Sequence, residues 1–292
     1  ATPPLAHERP GHSETIMIES SPLSLPALQP VHPVHPVAPY LGGKRNLSRR
    51  LVALIAATPH DLYAEPFVGM GGVFFRRDAR PKVEVINDIS QDVANLFRIL
   101  QRHYQPFLDT LKWQIASRAE FDRLRRADPT TLTDLERAAR FLYLQRLAFG
   151  GKIVGRNFGV TRTMPARFDL TKLVPMLEDV HERLCGVHIE CLGYANLIAR
   201  YDRPGALFYL DPPYANGERD YGDGVFSPDD FAALATQLEA INGRFILSIN
   251  DTPMIRETFA RFSIEEVWTT YTLAGANNAK AAPELIISGP RA

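Results

Sequence analysis

Ala206-Leu207-Phe208-Tyr209-Leu210 is a short, unbroken, aromatic-rich apolar run that passes without a spacer into Asp211-Pro212-Pro213-Tyr214. A run of this kind reads as a strand buried on both faces, the signature of a parallel sheet. The same design recurs along the chain. Leu62-Tyr63-Ala64 ends at Glu65, Val83-Glu84-Val85-Ile86 stops at Asn87-Asp88, and Arg244-Phe245-Ile246-Leu247-Ser248-Ile249 ends at Asn250-Asp251. Helical periodicity fills the intervals, and strand-like Ser263–Thr269 and Leu285–Ser288 finish the chain. Alternating strands and helices imply an α/β fold on a parallel-based sheet. In such sheets ligands are met at the carboxyl ends of the strands, where these polar residues fall.

The proline pair makes the loop after Leu210 stiff. Each proline fixes its own φ, lacks an N–H and holds the preceding residue extended, so the carbonyls of Asp211 and Pro212 are not used up in a helix. Asp211, Pro212 and Tyr214 thus offer a carboxylate, a bare carbonyl and an aromatic face. That set suits an amino group on a planar ring. A rigid surface turn is the competing reading of the tetrapeptide alone.

With 33 Lys and Arg against 33 Asp and Glu, the chain has no net charge and no general affinity for polyanions. Any nucleic-acid contact must come from a local patch. Two cysteines, no secretory leader and no apolar run long enough to span a bilayer point to a reduced, cytoplasmic, soluble protein. Residues 1–38 are rich in Pro, Ser and His without periodicity, and read as a disordered or polyproline-like leader.

Order is expected from Tyr40-Leu41-Gly42-Gly43-Lys44, with Asn46 as N-cap of a helix carrying Leu47, Leu51 and Leu54. After Glu65, the spacing Gly69-x-Gly71-Gly72 allows a tight turn and close backbone approach, and it is expected to open a helix. The third glycine of a dinucleotide fingerprint is missing, which disfavours an oxidoreductase. Asp88 lies about as far downstream as a carboxylate that accepts from ribose hydroxyls. Together these features favour an adenosine-containing ligand.

From Ile89 to about Gly186 the pattern is helical, with Thr133-x-x-Glu136 as a capping box. It breaks between Ala148 and Phe168 into glycine-rich, basic, aromatic-punctuated loops holding Lys152, Arg156, Asn157 and Arg162. Such loops suit phosphates and bases, and equally any exposed surface. His181, Cys185, His188 and Cys191 are metal-ligand types, but they divide between a helix and a strand whose side chains alternate in direction. No metal is expected.

Taken in order, Tyr40–Lys44, Glu65-Pro66-Phe67-Val68-Gly69-Met70-Gly71-Gly72, Asn87-Asp88, Asp211–Tyr214, Ser248-Ile249-Asn250-Asp251 and Glu284-Leu285-Ile286-Ile287-Ser288 resemble the DNA adenine methyltransferases of the Dam-like class, closest to phage and prophage forms. The resemblance implies a doubly wound methyltransferase sheet built from residues 39–100 and 186–292, with a helical target-recognition region inserted at 101–185. S-adenosylmethionine is the implied cofactor. Glu65, Phe67, Gly69, Gly71 and Asp88 would hold it, with Tyr40, Lys44 and Asp211 beside it and the target. Asp211 and the Pro212 carbonyl would accept from the amino group of adenine, and Tyr214 would stack on the flipped base. Double-stranded DNA is the implied partner of a monomeric enzyme, alongside a cognate restriction endonuclease. Met70 replaces a glycine common in the family, and the segment before Glu284 lacks an obvious basic run. Methylation of the cytosine amino group and a non-catalytic DNA-binding regulator are the alternatives on this fold.

Overall fold

The computed structural model describes residues 27–44, 46–159, 163, 165–218, 222, 224–272 and 279–290. The elements are β1 (Gln29–Pro30), α1 (Ser48–Ala57), β2 (Leu62–Glu65), β3 (Ala79–Arg80), β4 (Val83–Asn87), α2 (Gln91–Arg102), α3 (Tyr104–Leu111), α4 (Arg118–Arg126), α5 (Asp134–Leu147), α6 (Leu170–Arg183), β5 (His188–Glu190), α7 (Tyr194–Tyr201), β6 (Ala206–Leu210), α8 (Pro228–Ala240), β7 (Arg244–Asn250), α9 (Pro253–Thr258), β8 (Phe262–Thr272) and β9 (Ala279–Pro290).

Seven strands form one sheet in the order β5-β4-β2-β6-β7-β9-β8. The first five are parallel, while β9 runs antiparallel to both β7 and β8. Strand order reverses between β2 and β6. This doubly wound arrangement leaves a crevice at their carboxyl ends, beside Glu65 and Asp211.

Strand alternation divides the core in two. Tyr63, Leu207 and Tyr209 face a cluster shared with α1 through α6, whereas Leu62, Ala64, Phe208 and Leu210 face one shared with α7, α8 and α9. Both faces of β6 are therefore covered, which is why its sequence is apolar throughout. The helices α3 to α6 do not build a separate core: Phe107, Phe121, Phe141 and Leu173 join the cluster that holds Phe97 of α2. The expected boundary at residue 101 falls inside α2. Both reciprocal bonds of the Thr133–Glu136 capping box are present at α5.

Several local expectations are corrected. The leader does not run to residue 38: β1 pairs with β3, and Val34, Val37 and Ala38 are buried. Arg146 donates to the Val37 carbonyl at 2.5 Å and Gln145 to the Pro39 carbonyl at 2.9 Å, so this segment is stitched to α5. The N-cap of α1 is Leu47 rather than Asn46, with no side-chain cap. The helix expected after the glycine turn is a single 3₁₀ turn, Phe74–Arg76. Phe74, Phe75 and Arg77 are all buried, and near-consecutive buried residues do not fit one face of a surface helix. His181 meets the Leu100 carbonyl through Nδ1 at 2.7 Å and stacks on Tyr104, while Cys185 and Cys191 are exposed. Among the described residues no helix is long and apolar enough to cross a membrane.

Candidate active site

A cavity of about 340 Å³ occupies the crevice where strand order reverses. Its lining brings together Tyr40, Lys44, Glu65, Phe67, Gly69, Asp88 and Asp211, which stand up to 171 positions apart in the chain. Gly71, Pro212 and Tyr214 do not line it.

Glycine is needed in the turn after β2 for two different reasons. Gly69 has φ +50°, and a Cβ there would lie 2.9 Å from the Tyr40 ring, so the loop and the Tyr40 side chain share one space. Gly71 has φ +71°, and a Cβ there would collide with the Phe75 ring at 2.4 Å. Gly71 thus shapes the turn from behind.

The polar floor is held from the next strand. Asp88 is half-buried and accepts from the Gly69 N–H and the Ser90 N–H, both at 2.9 Å, tying the glycine turn to the start of α2. Burial pushes its carboxyl up to about 6 against those two N–H groups. Asn87, fully inside, donates to the carbonyls of Pro66 and Leu192 at 2.8 and 3.0 Å and accepts from the Leu192 N–H. It fixes the loops after β2 and β5 relative to each other.

Glu65 ends β2 with 2% exposure and accepts from the Tyr63 hydroxyl at 2.6 Å. Burial pushes its carboxyl up to about 8, although Tyr63 and Arg77 oppose the rise. Across the crevice, Lys44 Nζ lies 2.7 Å from Asp211 Oδ1 and donates to the Tyr214 hydroxyl at 2.6 Å. Tyr214 in turn donates to Glu284 Oε1 at 2.8 Å. Burial pushes the Asp211 carboxyl up to about 6, and Lys44 pulls against it. The loop after β6 is locked by Asn250, whose side chain donates to the Ala215 carbonyl at 3.1 Å and accepts from the Ala215 N–H at 2.9 Å. A carboxylate on a rigid loop is thereby aimed into a partly enclosed, partly apolar space.

The aromatic walls join Phe67, expected from the sequence, to two residues that the sequence did not single out, Tyr194 and Phe226. Phe67, Tyr194 and Phe226 form a triangle with centroid separations of 5.6, 6.0 and 5.7 Å, and all three line the cavity. Tyr194 opens α7 four residues after β5 ends, in the region the strand-end rule marks, though nothing in the sequence singled it out. Phe226 precedes the α8 capping residue Ser227 and carried no signal beyond that of a helix-entry hydrophobe. Glu284 lay in a recognised motif without an assigned role.

The loop expected to reach DNA abuts this site. Leu41 N–H donates to the Gly151 carbonyl at 3.1 Å, and a Cβ on Gly151 would sit 3.1 Å from the Tyr40 nitrogen. Lys152 and Asn157 are exposed. Arg156 is turned inward, donating to Gln145 Oε1 at 3.0 Å and lying over Phe141, while Gln145 donates to the Gly151 carbonyl at 2.7 Å. Arg162 lies outside the described residues. A wider groove shares Tyr40, Gly43 and Lys44 with the cavity and carries Arg49, Arg76, Arg167 and Lys172 along its walls. Among the described residues no group of His, Cys, Asp or Glu is placed to hold a metal ion.

The family model of the D12 class N6 adenine-specific DNA methyltransferase matches residues 40–273. A type II methyltransferase of Lactococcus lactis subsp. cremoris is 26% identical over 262 residues, covering 83% of this chain and 89% of its own length. The retron Ec67 DNA adenine methylase of Escherichia coli is 25% identical over 264 residues, covering 86% of this chain and 90% of its own. The DNA N-6-adenine-methyltransferase of Escherichia phage P1 is 26% identical over 220 residues, or 67% of this chain and 27% of that longer protein. The chain belongs to the D12 class of adenine-specific DNA methyltransferases, enzymes that use S-adenosylmethionine to methylate adenine in DNA.

Proposed function

We propose that the adenine is methylated after leaving the duplex, with its amino group held by Asp211 and the Pro212 carbonyl and its ring stacked on Tyr214. The observation that carries this reading is the position of Asp211, which is recessed in the crevice beside Glu65 and Lys44 rather than presented on the surface. A base kept in the helix does not reach such a site. Extrusion costs a few kcal/mol, which stacking and phosphate contacts offset.

S-adenosylmethionine supplies an electrophilic methyl group, and the cavity fits it. The Phe67–Tyr194–Phe226 triangle suits a planar purine, Asp88 suits ribose hydroxyls, and Glu65 and Asp211 suit a cationic centre. Gly69 lets the Tyr40 ring lie close against the turn, and Tyr40 and Lys44 form the rim between cofactor and base. Gly71 serves the same site indirectly, through the turn.

The chemistry needs acceptors more than a strong base. The amino nitrogen of adenine is a poor nucleophile because its lone pair is delocalised into the ring. Two acceptors on its hydrogens favour pyramidal geometry and stabilise the positive charge that grows during in-line attack. The proton becomes acidic only as the new bond forms, so it leaves afterwards. No covalent enzyme intermediate is required.

DNA is met, in this reading, by the α3 to α6 region and the basic groove beside it, with Lys152, Asn157 and Arg162 as contacts from the 148–168 loops. Arg156 braces that loop through Gln145. The type II designation of the Lactococcus lactis relative supports a cognate endonuclease as partner, and a monomer acting in the cytoplasm completes the proposal.

To test extrusion, methylated adenines in treated genomic DNA are mapped, and 2-aminopurine then replaces the target in a duplex. Its fluorescence is expected to rise several-fold on binding in the presence of a non-reactive cofactor analogue. An unchanged signal at saturating protein in both wild type and Tyr214→Ala, where no ring remains to quench an extruded base, would exclude the flipped state.

A second expected result concerns the cofactor alone. Asp88→Ala removes a charged acceptor and unpins Gly69, so cofactor affinity should weaken by roughly 1.5–3 kcal/mol. The apparent KM for S-adenosylmethionine should rise far more than that for DNA. Equal rises in both would point to general loosening instead.

A further inference from the structure

Glu284 is placed on β9 opposite Asn250 of β7, with 1% exposure, and the reading above gives it no task. A fully buried carboxylate on a sheet is costly unless charge and hydrogen bonds compensate it. Its surroundings show what compensates it. Tyr214 donates to Oε1 at 2.8 Å, and Lys44 Nζ stands 3.6 Å from Oε2, near enough for Coulomb attraction but beyond a hydrogen bond. Oε2 has no hydrogen-bond partner and is buried. Lys44 meanwhile spends its short contacts on Asp211 at 2.7 Å and the Tyr214 hydroxyl at 2.6 Å, with its charge 4.2 Å from the Tyr214 ring centre.

We infer that Glu284 is a positioning residue for methyl transfer: through Lys44 and the Tyr214 hydroxyl it sets the orientation of the Asp211 carboxylate and of the Tyr214 ring, the two groups that receive the base. This rests on the reading of Asp211 as acceptor for the amino group.

Two physical steps support it. The first is directional. Lys44 is a rotatable donor on a flexible stem, and alone it would fix neither the Asp211 carboxylate nor the ring. A second carboxylate on the far side, linked to it through the Tyr214 hydroxyl, holds the ammonium between two anchors. Those anchors lie on different strands, β6 leading to Asp211 and β9 carrying Glu284, and both strands flank β7. The second step is a charge count. With both carboxylates ionised, Lys44, Asp211 and Glu284 together carry one excess negative charge, which complements the sulfonium of the cofactor and the positive charge developing on the amino nitrogen.

Asp211 is faced by Lys44 from the segment before α1, Glu65 from β2, Tyr209 from its own strand, Ser248 from β7, Glu284 from β9, and Tyr214 from its own loop. Of these, Glu284 adds negative charge and Lys44 alone adds positive, while Glu65, pushed up to about 8, adds negative charge only at the top of the pH range. Neutralising Glu284 therefore makes the Asp211 carboxyl easier to ionise.

The test compares wild type, Glu284→Gln, Tyr214→Phe and Asp211→Asn in single-turnover methylation of duplex DNA with S-adenosylmethionine, across pH 5 to 9. Cofactor affinity by calorimetry and the thermal midpoint report on folding. For Glu284→Gln the rate is expected to fall roughly ten- to hundredfold, as misplacement by about 1 Å would cause. Cofactor affinity should change less than threefold, and the acid limb should move to lower pH. Tyr214→Phe keeps the ring but cuts the link. It should also lose rate while retaining DNA affinity, and it carries the test if Glu284→Gln does not fold. A wild-type rate with an unmoved acid limb in Glu284→Gln, or a wild-type rate in Tyr214→Phe, overturns the inference while Asp211→Asn stays inactive. If Asp211→Asn itself turns over normally, the acceptor reading beneath the inference has failed, and the two failures are thereby told apart.

Discussion

Asp211→Asn is expected to lower methyl transfer by about 10²–10³-fold or more, the scale on which removal of one preorganised electrostatic group acts. The amide keeps the shape of the carboxyl but presents at most one acceptor oxygen. Lys44, 2.7 Å from Oδ1, will claim that oxygen and turn the amide nitrogen toward the base. A donor would then face the amino hydrogens that need an acceptor. Radiolabelled methyl incorporation should nearly vanish while calorimetric cofactor affinity stays within a few-fold of wild type, because the aromatic walls and Asp88 are untouched. Turnover within tenfold of wild type would remove Asp211 from its proposed role.

The same group is expected to set a pH limit in the wild-type enzyme. Burial raises the Asp211 carboxyl to about 6 in the free protein, with Lys44 opposing the rise and Glu284 adding to it. The acceptor form is the ionised one, so kcat/KM should fall as pH drops through about 6 and level off above it. Glu65, pushed up to about 8, behaves differently. A positive ligand charge beside it would favour ionisation, so its titration is expected to shift downward if the cofactor binds as proposed.

Much of the candidate site is legible in the sequence because each parallel strand announces its own end. An apolar run that stops at an acid or amide, as at Glu65, Asn87-Asp88, Asp211 and Asn250, marks a loop at the carboxyl edge. Two of those polar residues, Asn87 and Asn250, prove to hold loops together rather than to face the cavity directly. Residues brought in by tertiary placement were not legible. Phe226 reaches Phe67 and Tyr194 through the packing of the α8 segment against the second face of the sheet, and Glu284 reaches Lys44 only through the antiparallel register that sets it opposite Asn250. Nor does local pattern tell a solvated arginine from a bracing one: Arg156 sits in a glycine-rich loop, yet its guanidinium lies against Gln145 and Phe141. Composition misled at the N-terminal side for a related reason. Proline-rich segments lack periodicity whether or not they pack, and Val34 and Val37 do pack.

Glu84→Gln should cause the largest loss of stability, about 3–5 kcal/mol, because it breaks a buried ionic triad at its shared member. Glu84, on β4, accepts from Arg77 at 2.9 Å and from both terminal nitrogens of Arg183 on α6 at 2.8 and 2.7 Å, with all three residues under 5% exposed. The two guanidiniums also lie over aromatic faces, Arg77 at 3.7 Å above Tyr63 and Arg183 at 4.2 Å above Phe74. Removing the carboxylate charge leaves two cations buried with one amide oxygen between them. Such a loss is a large share of ordinary domain stability. Denaturant unfolding should show the midpoint falling, and a change below about 1 kcal/mol would mean that water already compensates the triad. The damage should also reach the active site, since Tyr63, the platform under Arg77, is the residue whose hydroxyl holds Glu65 at 2.6 Å. Any folded Glu84→Gln protein should therefore bind S-adenosylmethionine more weakly. Replacing Arg77, Glu84 and Arg183 together by apolar residues of similar volume should recover most of the stability. It should not recover cofactor affinity if Arg77 is what keeps Tyr63 beneath Glu65.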